Sequence, residues 1–215
     1  MDGDPFALRP ELTAPALWCP ACRRGPPAFA VARSVAAYEG GLREAICALK
    51  FHRKPAIAEP LGQLLARFAP QEVFHMVDAI VPVPLHQDRF AQRGFNQSEL
   101  LAKHVATAAA APCLPDALRR VRQEAAQAEL GAVDRWHNVD GAFAPGLRVR
   151  GTVLLVDDVF STGATAAACS RALAEAGAER VVVLTLARAV LRGYHGALLR
   201  PPIPHLAAQK QPLPP

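Results

Sequence analysis

The sequence contains no long apolar run and no targeting signal. No hydrophobic stretch approaches the ~20 residues that a membrane-spanning helix needs. The opening residues, MDGDPFALRPELTAP, are acidic and contain proline, and they lack the basic stretch followed by apolar residues that marks a secretory signal. We therefore expect a cytoplasmic protein without a membrane span.

The cysteines do not form the pattern of a disulfide framework. The chain has five, an odd number at uneven spacings. Cys47, Cys113 and Cys169 each lie in an apolar segment that we interpret as helical. These three cysteines are therefore predicted to be core residues.

The chain also lacks a strong excess of one charge. Its 215 residues are 51% hydrophobic and 20% charged, and the formal net charge is +5. This composition is typical of one globular domain with small additions, long enough to bury a core. The modest positive charge permits contact with nucleic acid or a phosphorylated ligand but does not require either.

The most informative segment is VLLVDDVFSTGAT, residues 153–165. Its first four residues form a short apolar run, which predicts a strand buried on both faces, as in a parallel sheet. Asp157 and Asp158 follow at the predicted end of this strand, and residues 165–176 are helix-forming sequence. The order of strand, acidic loop and helix favours a ligand site at the carboxyl end of a parallel strand.

The residue types of this segment fit a sugar phosphate. Backbone N–H groups and hydroxyls of a Ser-Thr-Gly turn before a helix can wrap a terminal phosphate. Carboxylates cannot bind phosphate directly, but they can accept hydrogen bonds from a ribose diol or stand near a Mg²⁺ held mainly by ligand oxygens. The alternative is an Asp-Asp strand cap followed by an ordinary turn, which explains each residue singly but not the ordered set.

Two helices and another strand are predicted upstream. Apolar residues recur at helical spacing in residues 38–50 and again in 57–68, after a proline break. Residues 79–83 predict a buried strand, and the polar loop after it carries arginines that can reach a pyrophosphate opposite the acidic pair, with Gly94 allowing the turn. An ordinary strand exit with solvated arginines is the alternative. The predicted pyrophosphate contacts are Leu85, His86, Arg89 and Arg93.

Residues 118–143 are polar and poorly periodic, which predicts a hairpin or a mobile flap ahead of the strand at Val153. A flap suits group transfer from a sugar phosphate, because water must be kept from an oxocarbenium-like centre while a nucleophile attacks it. Each polar flap residue can equally be a solvated loop residue. The predicted flap contacts are Arg120, Arg122, Gln127, Arg135 and Asn138.

The apolar run, Asp-Asp, two variable residues and Ser-Thr-Gly-x-Thr together resemble the phosphoribosyl pyrophosphate (PRPP) loop of type I phosphoribosyltransferases. The resemblance implies an α/β fold with a mainly parallel sheet flanked by helices, a flexible flap, and Mg²⁺ bound with PRPP. It implies ribose and metal contacts for Asp157 and Asp158, which are also the candidate catalytic residues. The implied 5′-phosphate contacts are Ser161, Thr162, Gly163, Ala164 and Thr165.

A narrower resemblance rests on the order of four stretches. YEGGLREAICALKF, VPVPLHQDRFAQRGFNQ, RxRQEAAQAEL with DRWHNVDGAF, and LLVDDVFSTGAT are together similar to the ComF family of competence-associated, phosphoribosyltransferase-like proteins. The similarity covers about residues 17–188, and RGFNQ after PVPLH is its most specific part. It implies a link to DNA uptake, with single-stranded DNA or DNA-uptake proteins as partners, and it assigns no acceptor substrate.

Members of that family carry an N-terminal zinc ribbon of paired Cys-x-x-Cys motifs, but here Cys19 and Cys22 form one such pair alone. A structural zinc site needs four ligands, and nothing in the spacing of His52 or His75 favours either as a further ligand. We therefore favour a free Cys pair on a turn over a zinc site at Cys19 and Cys22, and we predict substoichiometric zinc. The predicted segments are 1–37 with the ribbon remnant, 38–190 with the phosphoribosyltransferase-like domain, and 191–215 as a Pro-rich tail.

Three functions remain open from the sequence. The protein can be an enzyme that transfers a phosphoribosyl group from PRPP, a sensor that binds PRPP or a nucleotide, or an adaptor of the DNA-uptake apparatus with a relic pocket. The intact pair Asp157 and Asp158 argues against the relic. Asp158 is the only candidate base in the motif, so the sequence does not separate transfer from sensing.

Overall fold

The computed structural model describes residues 27–75, 77–122, 139 and 141–189. Short 3₁₀ turns at Pro55–Ile57, Gln71–Val73 and Pro115–Ala117 connect the main elements. In chain order, these elements are β1 (Val31–Ala37), α1 (Gly40–Phe51), α2 (Ala58–Phe68), β2 (Ala79–Pro82), α3 (Gln87–Arg93), α4 (Gln97–Ala109), β3 (Leu118–Arg120), β4 (Phe143–Pro145), β5 (Thr152–Phe160), α5 (Ala164–Glu175) and β6 (Arg180–Arg188).

The main sheet has four strands in the order β1-β6-β5-β2. All three of its strand pairs are parallel, with Val153 opposite Val181 between β5 and β6, and Ala79 opposite Val153 between β2 and β5. The predicted β5-α5-β6 crossover is therefore confirmed, and so is the α/β class with a parallel sheet flanked by helices. The architecture is consistent with the type I phosphoribosyltransferase-like fold.

Side chains of β5 alternate between two hydrophobic clusters, one on each face of the sheet. Val153 and Leu155 pack into the cluster formed with α5 and the β3-β4 hairpin. Leu154 and Val156 pack into the cluster formed with α1, α2 and α4. All four side chains are fully buried, as predicted for a parallel strand covered on both faces.

The two predicted upstream helices are confirmed as α1 and α2, and α2 packs closely on α4. A Cβ added at Gly62 on α2 would clash with the ring of His104 on α4. The absence of a side chain at Gly62 therefore lets the two helices approach each other. The predicted strand at residues 79–83 is confirmed as β2.

Three details differ from the sequence predictions. The edge strand β1 was not predicted, because VARSVAA is neither a continuous apolar run nor a strict alternation, and all its residues are half-buried. The strand β5 does not end before Asp157 but continues to Phe160, since β6 pairs with it as far as Arg188. Cys113 is half-buried and lies outside any helix, bridged to Ile80 beside β2.

No helix in the described ranges is long and apolar enough to cross a membrane. A cytoplasmic location stays a prediction. The Pro-rich tail and most of the N-terminal segment, including Cys19 and Cys22, lie outside the described residues, so the predicted segment boundaries and the zinc site stay predictions as well.

Candidate functional site

The carboxyl end of β2 lies beside β5 directly before the acidic pair and brings the two predicted ligand segments together. Pro82 at the end of β2 is opposite Val156 of β5, and the Val83 N–H donates to the Val156 carbonyl at 2.9 Å. Asp157 and Asp158 directly follow Val156. The chain that leaves β2 therefore runs beside the acidic pair, as expected for neighbouring parallel strands.

A cleft of about 220 Å³ opens at this edge of the sheet. Seven of the predicted site residues line it, from all three predicted loops. These are Leu85, Arg89, Arg93, Arg120, Asp157, Asp158 and Thr165. The remaining lining residues are Lys50, Phe51, Val83, Pro84, Gln97 and Val159.

The two aspartates have different surroundings. Asp158 is 2% exposed, and its Oδ1 lies 2.8 Å from Lys50 Nζ, while within the described residues its Oδ2 has no hydrogen-bond partner. Asp157 is half-buried, and its Oδ1 accepts from the Ser98 hydroxyl at 2.8 Å and from the Asp158 N–H at 2.9 Å. Asp158 thus combines an ion pair with an oxygen that can still accept a hydrogen bond from a ligand.

Burial and mutual repulsion shift the proton affinities of this cluster. Burial, followed by the negative charge of Asp158, raises the pKa of Asp157 to about 7, although Lys50 and the Ser98 hydroxyl oppose the rise. Burial alone would lower the pKa of Lys50, but the attraction of Asp158 and Asp157 outweighs it and raises that pKa. Lys50 therefore stays charged and stabilises the acidic pair.

The loop between β5 and α5 requires glycine at one position. Gly163 has φ +83°, a left-handed conformation, and an added Cβ would lie 2.8 Å from the Phe160 ring. The Thr162 hydroxyl accepts from the Ala164 N–H at 3.4 Å at the start of α5. Ser161, Gly163 and Thr165 line a smaller cavity of about 20 Å³, which shares Asp157 and Thr165 with the main cleft.

The segment after β2, which the sequence predicts to be a loop, is mostly the short helix α3. His86 caps it, because its Nδ1 accepts from the Asp88 N–H at 3.3 Å, and Gly94 ends it with φ +84°. His86 does not line the cleft, so its pyrophosphate contact stays a prediction. Arg89 and Arg93 do line it, and α3 presents both from one short element.

Arg93 is held by its neighbours. Its guanidinium donates to the Gln97 side-chain carbonyl. Partial burial lowers the pKa of Arg93, and the nearby positive charge of Arg89 adds to this effect, while Asp158 opposes it. Two cations that repel each other at a cleft are stabilised when a multiply charged anion binds between them.

The predicted hairpin is confirmed at its base, where β3 and β4 pair antiparallel with Arg120 opposite Phe143. The Arg120 guanidinium lies 5.3 Å from the centre of the Phe143 ring and lines the cleft. Arg122 is exposed and is not one of the lining residues. Gln127, Arg135 and Asn138 lie outside the described residues, so their flap contacts stay predictions.

Sequence reasoning missed Lys50, Phe51, Gln97 and Ser98. Lys50 is the basic residue in the last turn of α1, where a lysine is already explained by the helix dipole. Gln97 and Ser98 begin α4, where polar residues are common. Only the proximity of these helix ends to β5 in three dimensions reveals their contact with the site.

The residues present fit a Mg²⁺ held mainly by oxygens of a ligand. The described residues contain no cluster of three or more His, Cys, Asp or Glu side chains suited to a metal. One oxygen of Asp158 is already engaged by Lys50 at 2.8 Å. A Mg²⁺ at this site would therefore take one or two carboxylate oxygens from the acidic pair and the rest from phosphates and water, which is its usual mode in nucleotide sites.

Fold and site together define a class of protein: a parallel α/β sheet with an acidic pair, a glycine turn before a helix, and arginines around one cleft at its carboxyl edge, as in phosphoribosyltransferase-like folds. No family model matches the chain. The DNA utilization protein YhgH of Escherichia coli K12 is 37% identical over 194 residues, covering 84% of each chain.

Two competence proteins are also similar. Competence protein F of Haemophilus influenzae is 37% identical over 116 residues, covering 52% of this chain and 51% of its own. Competence protein ComFC of Streptococcus pneumoniae is 30% identical over 129 residues, covering 60% of this chain and 56% of its own. The chain therefore belongs to the ComF family.

Proposed function

We propose that the cleft binds PRPP together with Mg²⁺, and that the protein acts through this ligand in DNA uptake or utilisation. The observation that carries the proposal is the convergence of three chemically distinct groups on the main cleft and the smaller cavity that shares residues with it. The acidic pair, the residues around the Gly163 turn and the arginines of α3 come from separate segments, yet they line two cavities that share Asp157 and Thr165.

Each part of PRPP can be assigned to a chemically suitable set of residues in this site. The 5′-phosphate would lie against the Ser161 to Thr165 turn, where first-turn N–H groups of α5 have no acceptor within the helix. The ribose hydroxyls would donate to the acidic pair, where Asp158 Oδ2 lacks a partner among the described residues. The pyrophosphate would lie beside Arg89 and Arg93 of α3.

The charges around the cleft favour this ligand. Its lining contains Lys50 and the three arginines against two carboxylates. Because Lys50 is paired with Asp158 at 2.8 Å, the arginines are the main attraction for an incoming anion. A bound Mg²⁺ would supply further charge neutralisation for the pyrophosphate, held by the same acidic pair.

The chemistry after binding is transfer of the phosphoribosyl group to an acceptor, with pyrophosphate as the leaving group. Transfer breaks the bond between ribose C1 and pyrophosphate, forms a new bond from C1 to the acceptor, and releases the acceptor's proton. Asp157, with its pKa raised to about 7, is better suited to take that proton than Asp158, which is paired with Lys50.

The second candidate function is a PRPP or nucleotide sensor that performs no transfer. The observation that favours it is the ion pair between Lys50 and Asp158, because it engages the acid that the sequence offered as the base. In this version the bound ligand changes the contacts of the protein with single-stranded DNA or with DNA-uptake proteins. The names of the similar proteins, which refer to DNA utilization and competence, support that setting.

Calorimetric titration with PRPP, with and without Mg²⁺, tests the proposal. We expect saturable binding that is tighter with Mg²⁺. A screen of nucleobases for pyrophosphate release then separates the two functions, since release supports transfer and binding without release supports the sensor. No binding of PRPP under either condition would rule out both.

A further inference from the structure

Phe51 is an exposed aromatic residue in the cleft that the proposed PRPP contacts leave unused. It is the last residue of α1, it lines the cleft, and it is 69% exposed. It belongs to neither hydrophobic cluster of the described residues, whereas Leu49 on the same turn is fully buried. The phenyl ring therefore contributes little to the core and offers an apolar face to whatever enters the cleft.

The end of α1 that carries this ring is anchored beside the proposed ribose site. Lys50, the neighbouring residue, is tied to Asp158 by the 2.8 Å ion pair, and Leu49 anchors the same turn in the core. The two residues that directly precede Phe51 are thus both held in place. A phenyl side chain on an anchored backbone has few rotatable bonds, so it loses little conformational freedom when a flat ligand stacks on it.

The surroundings of Phe51 in the cleft suit a flat ring with polar edges. Arg93 and Gln97 line the same cleft and present hydrogen-bonding groups, while Phe51 presents a hydrophobic surface. A nucleobase has both features, with two apolar faces and a rim of donors and acceptors. Aromatic side chains bind nucleobases by stacking, largely independently of base identity.

We propose that Phe51 is a stacking platform for a nucleobase, supplied either as a free heterocyclic acceptor or as an unpaired base of single-stranded DNA. This inference rests on the proposed function, since the ring would stack beside ribose C1 of the bound sugar phosphate. It narrows the acceptor class to flat nitrogen heterocycles.

Titration with two kinds of probe isolates the contact. Ribose 5-phosphate fills only the proposed sugar-phosphate part of the cleft, whereas AMP, GMP, CMP and UMP add a base at C1. We expect at least one nucleotide to bind at least about tenfold more tightly than ribose 5-phosphate. This is the gain in affinity that stacking of a base on an aromatic side chain typically gives. Phe51→Ala should abolish this difference without changing the affinity for ribose 5-phosphate, and Phe51→Trp should keep it.

The matched control is Phe90→Ala, because Phe90 is also an exposed phenyl group, at 48%, but does not line the cleft. It should leave every affinity unchanged. An oligo-dT strand distinguishes the source of the base: loss of strand binding in Phe51→Ala alone, with nucleotide affinities unchanged, assigns the platform to single-stranded DNA.

Two negative results are distinguishable. If ribose 5-phosphate binds, but nucleotides bind no more tightly and Phe51→Ala affects neither nucleotides nor oligo-dT, the platform is overturned while the proposed PRPP site stands. If neither PRPP nor ribose 5-phosphate binds, the proposed function itself fails.

Discussion

At the scale of single residues, Lys50 is the contact on which the acidic pair depends. Its Nζ lies 2.8 Å from Asp158 Oδ1, and the two side chains are 22% and 3% exposed. Lys50→Met would leave the buried carboxylate without its partner, which costs about 3 kcal/mol when one member of a buried pair is removed. We expect a fall of this size in the free energy of unfolding, measured with urea at pH 7.

Lys103→Met is the control for this prediction. Lys103 also pairs with a carboxylate, that of Glu99 at 3.0 Å, but its side chain is 59% exposed. Exposed pairs of this kind contribute ~0–1 kcal/mol. Equal effects of the two substitutions would show that burial of the Lys50 pair does not matter.

The raised pKa of Asp157 should make the stability of the protein depend on pH. Because its folded-state pKa is raised to about 7 from the ordinary value of 3.8, the folded protein holds a proton that the unfolded chain releases between these values. The free energy of unfolding should therefore fall as pH rises from about 4 to about 7, by about 2 kcal/mol or more. Asp157→Asn should remove this fall and unfold at a higher temperature than the wild type at pH 8. A wild-type stability profile that rises over this range, and that Asp157→Asn leaves unchanged, would contradict the prediction.

At the scale of elements, the turn from β5 into α5 depends on Gly163. Alanine there must adopt φ +83° and place a Cβ 2.8 Å from the Phe160 ring. The left-handed conformation alone costs roughly 1–2 kcal/mol for a non-glycine residue. Gly163→Ala should lower the melting temperature by several degrees and weaken PRPP binding, measured by differential scanning fluorimetry and calorimetry.

Gly41→Ala provides the comparison, because nothing lies within 4 Å of a Cβ at that position and no positive φ is required. It should be neutral or slightly stabilising, since alanine favours helix more than glycine does. If Gly163→Ala behaved like Gly41→Ala, the turn would not be the constrained element that its geometry indicates.

The short helix α3 presents Arg89 and Arg93 to the cleft, where we propose that they bind the pyrophosphate of PRPP. Arg89→Met should weaken PRPP binding about tenfold or more, as expected for a lost hydrogen bond between charged groups. The affinity for ribose 5-phosphate, which has no pyrophosphate, should stay within about twofold. Equal losses of affinity for PRPP and ribose 5-phosphate, measured by the same titration, would show that Arg89 does not contact the pyrophosphate.

Local patterns were sufficient for the elements that carry strong periodicity. The apolar run before Asp157 predicted β5, and the helical spacing in residues 38–50 and 57–68 predicted α1 and α2. The edge strand β1 was missed because its half-buried residues carry no such pattern. The segment 87–93 was predicted to be a loop because its helix is only seven residues long and depends on the His86 cap and on Gly94.

At the scale of the whole molecule, the site forms because β2 ends beside the acidic pair of its parallel neighbour β5. The ligand segments that follow β2 and the apolar run of β5 are predictable from the sequence. Their proximity is predictable too, because the carboxyl ends of parallel strands lie at the same edge of a sheet. The sequence does not predict that Lys50 and Ser98 contact the acidic pair, because these contacts depend on how α1 and α4 pack against the sheet. Long-range packing of this kind leaves no local signature.

Asp157→Asn is the sharpest test of whether the acidic pair binds the ribose of PRPP. Asparagine keeps the shape and the oxygen that accepts from Ser98 and from the Asp158 N–H, and it leaves the pair of Lys50 with Asp158 intact. A hydrogen bond to a charged group contributes ~1.5–3 kcal/mol, so calorimetry should show PRPP affinity reduced about tenfold or more in a protein that is folded and at least as stable. Unchanged PRPP affinity in such a protein would mean that the acidic pair does not bind the ribose.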